Sequence, residues 1–320
     1  MAEEIGGYFG LELPVSNAFL HSDGYCVNSG RNALELILSH IADLVKLWIP
    51  YYTCEVVLEP LKKRGIPYSF YSINRRLEIA EDLELRSGEY LLLTNYFGIK
   101  DRYVNEMAER YGDRLIVDNA QSYYSHPISG IKTFYSPRKF VGVPDGGIAF
   151  TGEKVDMAQY PVDCSWNRCS HLLKRLDVNA GAGYEDFKVN SHMLVNQPIR
   201  QMSNLTRTLL SSIDFERIKK IRRNNFSFLH ERLGASNKLL LDGFKSDCPM
   251  VYPYYTDNEN LRKKLIDNRI FVATYWPNVL NWCSIKAFEY SLSRMIIPLP
   301  IDQRYSTIEM KKIITLIRQE

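Results

Sequence analysis

Four short segments carry residue types that could do chemistry, and each lies beside an apolar run. Asp118 closes Leu115-Ile116-Val117 and is followed by Asn119-Ala120-Gln121, which puts a carboxylate close to a carboxamide. Lys139 ends Ser136-Pro137-Arg138-Lys139 and precedes Asp145-Gly146-Gly147 and a further apolar run. Asn28-Ser29-Gly30-Arg31 opens a helical pattern, where unpaired backbone N–H groups and the positive end of the helix dipole suit an anion such as phosphate. Pro50-Tyr51-Tyr52-Thr53-Cys54 follows another strand and offers aromatic faces. Alone, each segment is equally a helix cap, a solvated lysine or a packed tyrosine. Together they offer an anion cradle, a carboxylate beside an amide, an amine and aromatic surface.

The elements that would position them alternate. Leu34, Ile37, Leu38, Ile41 and Leu44 recur at helical spacing behind Ser29, which is placed to cap the helix. Lys46 to Ile49 reads as a strand stopped by Pro50; Val57, Leu58 and Leu61 mark a helix, and Pro67 to Tyr71 a strand. Tyr90 to Thr94 and Leu115 to Val117 are buried-type strands with a helix, Val104 to Tyr111, between them. Such alternation implies a parallel sheet wrapped by helices, and in such sheets ligands gather at the carboxyl ends of the strands. From Asp163 to Asn196 periodicity fades, and long active-site or interface loops are expected. A basic helix over Asp214 to Leu233 carries one apolar stripe and could hinge two domains. Strand and helix alternate again through Met250–Tyr254, Leu261–Ile266, Phe271–Thr274, Met295–Leu299 and Ile308–Ile317. The reading is an α/β chain with a large, mostly parallel sheet domain over residues 1–213, including an N-terminal arm, and a smaller α/β domain over 214–320.

Composition bounds the partners. With 45% hydrophobic and 24% charged residues, the 320-residue chain can bury a sizeable core and is neither fibrous nor disordered. A formal charge of +3 gives no electrostatic footprint for nucleic acid, so any basic site must be local. The first residues carry acids and glycines where a secretory leader needs positive charge and an apolar run, and no stretch approaches the ~20 apolar residues that cross a bilayer. The six cysteines form no Cys-x-x-Cys pair, which argues against a disulfide framework or a zinc site. A cytoplasmic protein with no membrane partner and no metal is expected.

In order and in kind, these segments resemble the DegT-type family of sugar aminotransferases, pyridoxal-phosphate enzymes of the type I, aspartate aminotransferase fold. Ser29-Gly30-Arg31-Asn32-Ala33-Leu34 resembles the family's Ser-Gly-Thr-x-Ala-Leu turn, Asp118 to Gln121 its Asp-x-Ala-Gln, and Lys139 with Gly146-Gly147 its lysine and following glycines. Arg200-Gln201-Met202-Ser203 is similar to its Arg-Met-Ser segment with one residue inserted, and Leu299-Pro300 with Gln303-Arg304-Tyr305 to its C-terminal strand and turn. The resemblance implies that Lys139 forms the Schiff base with the cofactor aldehyde and shuttles the proton, while Asp118 keeps the pyridine nitrogen protonated. It further implies that Gln121 bonds the ring hydroxyl, that Gly30 and Arg31 hold the phosphate on their N–H groups, and that Tyr52 stacks on the ring. Phe134 stands where the family carries its phosphate-binding serine, so Ser136 or the Arg31 side chain is expected to compensate. The implied reaction moves an amino group, from glutamate, onto a keto sugar nucleotide for surface polysaccharide synthesis, in a homodimer whose crossing segment is Asp163 to Asn196. Alternatives are a related pyridoxal-phosphate reaction on another carbonyl substrate, or a pseudoenzyme or sensor with a degraded phosphate site.

Overall fold

The structure, a computed structural model, describes residues 5–14, 18–241 and 248–319. Seven strands form one sheet: β1 (Tyr25–Val27), β2 (Lys46–Pro50), β3 (Tyr68–Tyr71), β4 (Glu89–Thr94), β5 (Leu115–Asn119), β6 (Lys132–Tyr135) and β7 (Gly147–Phe150). Their spatial order is β1-β7-β6-β5-β4-β2-β3; all pairs are parallel except those that β7 makes with β6 and β1. The helices α1 (Gly30–Ser39), α2 (Leu58–Arg64) and α3 (Asp101–Tyr111) occupy the connections. Strand residues alternate between two buried faces. Leu115 and Val117 enter one apolar cluster and Ile116 the other; Leu91 and Leu93 separate in the same way from Tyr90 and Leu92. A sheet covered on both faces explains why these strands read as continuous apolar runs.

This topology sets the rim. Strands β2, β4, β5 and β6 end at Pro50, Thr94, Asn119 and Tyr135, while the antiparallel β7 begins at Gly147 opposite Val27, the last residue of β1. The four segments singled out above therefore meet at one edge. The register sets Asp118 between Thr94 of β4 and Phe134 of β6.

The stretch expected to be loops folds instead into two helices, α4 (Ser170–Asp177) and α5 (Tyr184–Met193). Their apolar residues Leu173, Leu176, Val189 and Met193 face solvent, so no inward stripe reveals them in the sequence. Next come α6 (Asn204–Ser211) and α7 (Phe215–Leu233), capped by Ser203 and Asp214. The last third forms a two-stranded antiparallel sheet of β8 (Tyr252–Tyr255) and β9 (Ile296–Leu299), with α8 (Leu261–Asp267), α9 (Val279–Trp282), α10 (Phe288–Met295) and α11 (Thr307–Arg318). Residues 271–274, expected as a strand, lie outside any strand. Arg262 of α8 donates to the carbonyls of Ala273 and Ile296, so side-chain bonds rather than a ladder satisfy this backbone.

Candidate functional site

A cavity of about 390 Å³ opens at the rim, and among its lining residues are Ser29, Gly30, Asp118, Ser136, Arg138 and Lys139. Arg138 and Lys139 also border a wider cleft of about 580 Å³ that reaches the β8–β9 region, so the lysine stands where the two spaces join. Asp118 is buried, its Oδ1 accepting from the Ala120 amide at 2.8 Å. Burial pushes its carboxyl above the usual carboxylate range, and the nearby Lys139 ammonium pulls it back. Lys139 itself is exposed and forms no hydrogen bond or ion pair through Nζ among the described residues.

The opposite wall is the start of α1. Ser29 Oγ accepts from the Asn32 amide at 3.1 Å and the Ser29 carbonyl takes the Ala33 amide, while the Arg31 amide stays without an intrahelical partner at the cavity lining. Two glycines let the chain close here. Gly146 has φ of +116°, in the region that favours glycine. A Cβ on Gly147 would lie 2.1 Å from the Ser29 carbonyl oxygen, so β7 meets the α1 turn backbone to backbone. Asp145 fixes the turn: Ser203 donates to it through its amide (3.1 Å) and hydroxyl (2.9 Å), and Thr206 through its hydroxyl, so the start of α6 holds the Gly146-Gly147 corner. Gly30 leaves room for Ser136, whose Oγ would be 3.6 Å from a Cβ there.

A strap covers this wall. Asn32 donates to the Gln197 carbonyl (2.9 Å) and Asn28 to that of Pro198 (3.1 Å), while Asn190 of α5 donates to the Pro144 carbonyl (2.9 Å). Arg31 belongs to the strap as much as to the cavity. Its guanidinium donates to the Leu194 carbonyl at 2.7 Å and pairs with Glu59 at 3.5 Å, and Glu59 also accepts from the Asn196 amide at 2.7 Å.

Of the residues expected from sequence, Gly30, Arg31, Asp118, Ser136 and Lys139 are brought together on the cavity. Gln121 is buried just behind it. Its Oε1 accepts from the Phe97 amide at 3.0 Å, and its Nε2 is an orphaned donor with no partner among the described residues. Tyr52 does not reach the cavity. After Pro50 the chain turns its ring into the core, 4.9 Å from Trp276 and in contact with Tyr96; Phe134 and Phe187 line the cavity, as do Tyr275 and Trp276. Those two, with Phe187 and Ser191 of α5, were not legible as site residues, for they come from segments far along the chain. Cys54, not Tyr52, lines the cavity after β2.

The residues fit the phosphorylated pyridine cofactor that the resemblance implies. A buried carboxylate, an unpaired amine and a helix start around one cavity, with an orphaned amide donor behind it, are the groups such a cofactor requires.

No family model matches the chain, and no curated protein matches it. Solved structures do. DesV of S. venezuelae, in complex with a ketimine intermediate, superposes with a TM-score of 0.65 at 16% identity, over 92% of this chain and 84% of that one. A DegT DnrJ EryC1 StrS aminotransferase from Brucella abortus gives 0.61 at 17%, over 92% and 84%, and the sugar aminotransferase CalS13 from Micromonospora echinospora 0.62 at 12%, over 92% and 86%. At these identities the likeness is one of fold: the chain has the α/β fold of these aminotransferases, with the large, mostly parallel sheet expected from its sequence.

Proposed function

We propose that the protein is a pyridoxal-phosphate-dependent aminotransferase that moves an amino group, from glutamate, onto a keto sugar carried on a nucleotide, in surface polysaccharide synthesis. The observation that carries this reading is the meeting of Asp118, Lys139 and the start of α1 on one cavity at the strand ends. When bound, the cofactor would supply an aldehyde for amine exchange and an electron-poor ring that accepts the electron pair left when a carbon loses its proton. Asp118 would hold a proton at the ring nitrogen, which its burial and the lack, among the described residues, of a cation at hydrogen-bond distance favour. Gln121 Nε2 would donate to the ring oxygen, and the Gly30 and Arg31 amides with the Ser136 hydroxyl would receive the phosphate. Lys139 Nζ is the amine that takes the proton from the donor's α carbon and returns one to the former carbonyl carbon of the acceptor. Tyr275, Trp276 and the strap would keep water from that exchange.

The keto sugar would enter by the wider cleft, whose lining includes Arg175 and Arg304. The solvent-facing apolar residues of α4 and α5, with Trp166, support a homodimer in which this region crosses to the partner. Six cysteines with no disulfide among the described residues suit the cytoplasm, and no helix among those residues is long and apolar enough to cross a membrane. The test is spectroscopic. Purified protein with cofactor should show a visible absorption band that glutamate discharges, and Lys139→Arg, which keeps the charge but not the reactive amine, should abolish discharge. A colourless protein that ignores added cofactor would refute the reading.

A further inference from the structure

The turn that carries Lys139 also carries a cation with no ion pair among the described residues, although the Asp145 carboxylate acts on it from a distance. Arg138 lies within Pro137–Lys139 and borders both cavities. Its Nε is buried without a hydrogen-bond partner, and its guanidinium forms no ion pair among the described residues. The nearby acids are committed: Asp145 to Ser203, Thr206 and Arg168, and Glu59 to Arg31. Burial first, and then the neighbouring Arg31, pull Arg138 below the ordinary arginine value to about 10, with Asp145 pulling the other way, so at neutral pH it still carries its charge.

A half-buried cation whose Nε is shut away from water without a partner costs free energy that a bound anion restores. The side of the cavity toward Arg31 already has the start of α1, the Ser136 hydroxyl and the glycine corner of Gly146. Arg31, the arginine that sequence places at this spot, has its guanidinium engaged by Leu194 and Glu59, whereas Arg138 is unengaged and planar, with paired donors matched to a phosphate.

We propose that Arg138 is the phosphate anchor of this chain, gripping the cofactor's phosphate monoester dianion together with the start of α1, and so replacing the serine whose position Phe134 occupies. This inference rests on the cofactor reading above. A role in holding the fold would make the opposite demand on stability. Removing a half-buried charge that makes no ion pair should leave the ligand-free protein about as stable, whereas removing a structural arginine should lower its melting temperature.

The test uses cofactor-free full-length protein with three probes, namely pyridoxal phosphate, pyridoxal and inorganic phosphate. Wild type should melt higher with inorganic phosphate and bind pyridoxal phosphate much more tightly than pyridoxal. In Arg138→Met the affinity for pyridoxal phosphate should fall about 10- to 100-fold, the range of a charge-assisted pair. Pyridoxal affinity should hold within about threefold, and the phosphate-induced rise in melting temperature should vanish. Arg138→Lys should restore part of both, and serves as the variant of record if the methionine protein does not fold. Arg31→Met should change phosphate discrimination less than Arg138→Met does. The proposal is overturned if Arg138→Met keeps wild-type discrimination between pyridoxal phosphate and pyridoxal, or if it loses both ligands together and melts lower without them. If wild type takes up neither pyridine ligand, the cofactor reading fails, and the inorganic phosphate arm still judges Arg138 on its own: a phosphate response that depends on Arg138 supports the anion site, and one that does not refutes it.

Discussion

Gly147→Ala is the most direct probe of how the cavity is built. The new Cβ would lie 2.1 Å from the Ser29 carbonyl oxygen, 2.3 Å from its carbon and 2.7 Å from the Gly30 nitrogen. All three are backbone atoms, so no rotamer change relieves the contact, and β7 or the α1 turn must retreat by about 1 Å to restore ordinary separations. Overpacking against side chains costs about 1–3 kcal/mol, and a clash confined to backbone belongs at or beyond the upper end. At about 2–4 °C per kcal/mol for a chain of this size class, the melting temperature should fall by about 6–12 °C. Gly142→Ala is the control. Its Cβ would meet only Leu172 Cδ2 at 3.3 Å, the far end of a flexible side chain, and should cost no more than about 0.5 kcal/mol. Thermal and urea unfolding by circular dichroism measure both variants, and cofactor affinity should fall in Gly147→Ala alone. A Gly147→Ala protein that melts within 2 °C of wild type, about 1 kcal/mol or less, would refute the close approach of β7 to α1.

Asp118→Asn keeps the shape of the strand end and removes its charge; cofactor should still bind at high concentration while turnover falls at least about 10- to 100-fold, and an unchanged kcat would leave the carboxylate a mere cap. His21, stacked on Tyr135 at 4.1 Å and bonded to the Tyr123 carbonyl, is lowered by burial from 6.5 to about 4. Its contribution is thus fully present above pH 6.5 and is lost as pH falls from 6.5 toward 4, where the unfolded chain binds the proton first, to a total on the order of 3 kcal/mol. His21→Phe should flatten melting temperature against pH across that window, and an unchanged slope would reassign the effect. Leu176→Asp on the exposed face of α4 should shift the protein toward monomer in sedimentation velocity, whereas equal sedimentation of variant and wild type would exclude that face from the interface.

How far the site was legible depended on what each residue answers to. Asp118 and the start of α1 could be placed because their neighbours obey simple periods: buried strand residues run up to Asp118, and Leu34, Ile37 and Leu38 repeat on one helix face behind Ser29. The helices α4 and α5 escaped because their apolar residues face away from this chain's own core. The choice between adjacent tyrosines was equally hidden. Tyr51 stacks on Phe70 at 4.6 Å and Tyr52 turns inward, an outcome set by the turn after Pro50 rather than by residue type. Nothing in Ser-Pro-Arg-Lys reveals that the Arg138 Nε is buried without a partner, since that depends on Asp145 being held by Ser203 and Thr206 far downstream.

The antiparallel seat of β7 also bears on when the cavity can exist. β1 pairs with β7, Val27 against Gly147, and on its other side, among the described residues, only with the later segment 200–202, and the turn at Ser29 leans on that same glycine. During synthesis from the N-terminus, about 110 residues must therefore follow α1 before its first turn meets its supporting strand, and Trp276 completes the lining later still. Until then β1 is an unpaired edge and α1 has no strand beneath its start, so a chain arrested before residue 147 holds Asp118 and Lys139 but no cradle between them. Nascent chains released at increasing lengths should acquire protease resistance over residues 25–40 only once β7 has left the ribosome.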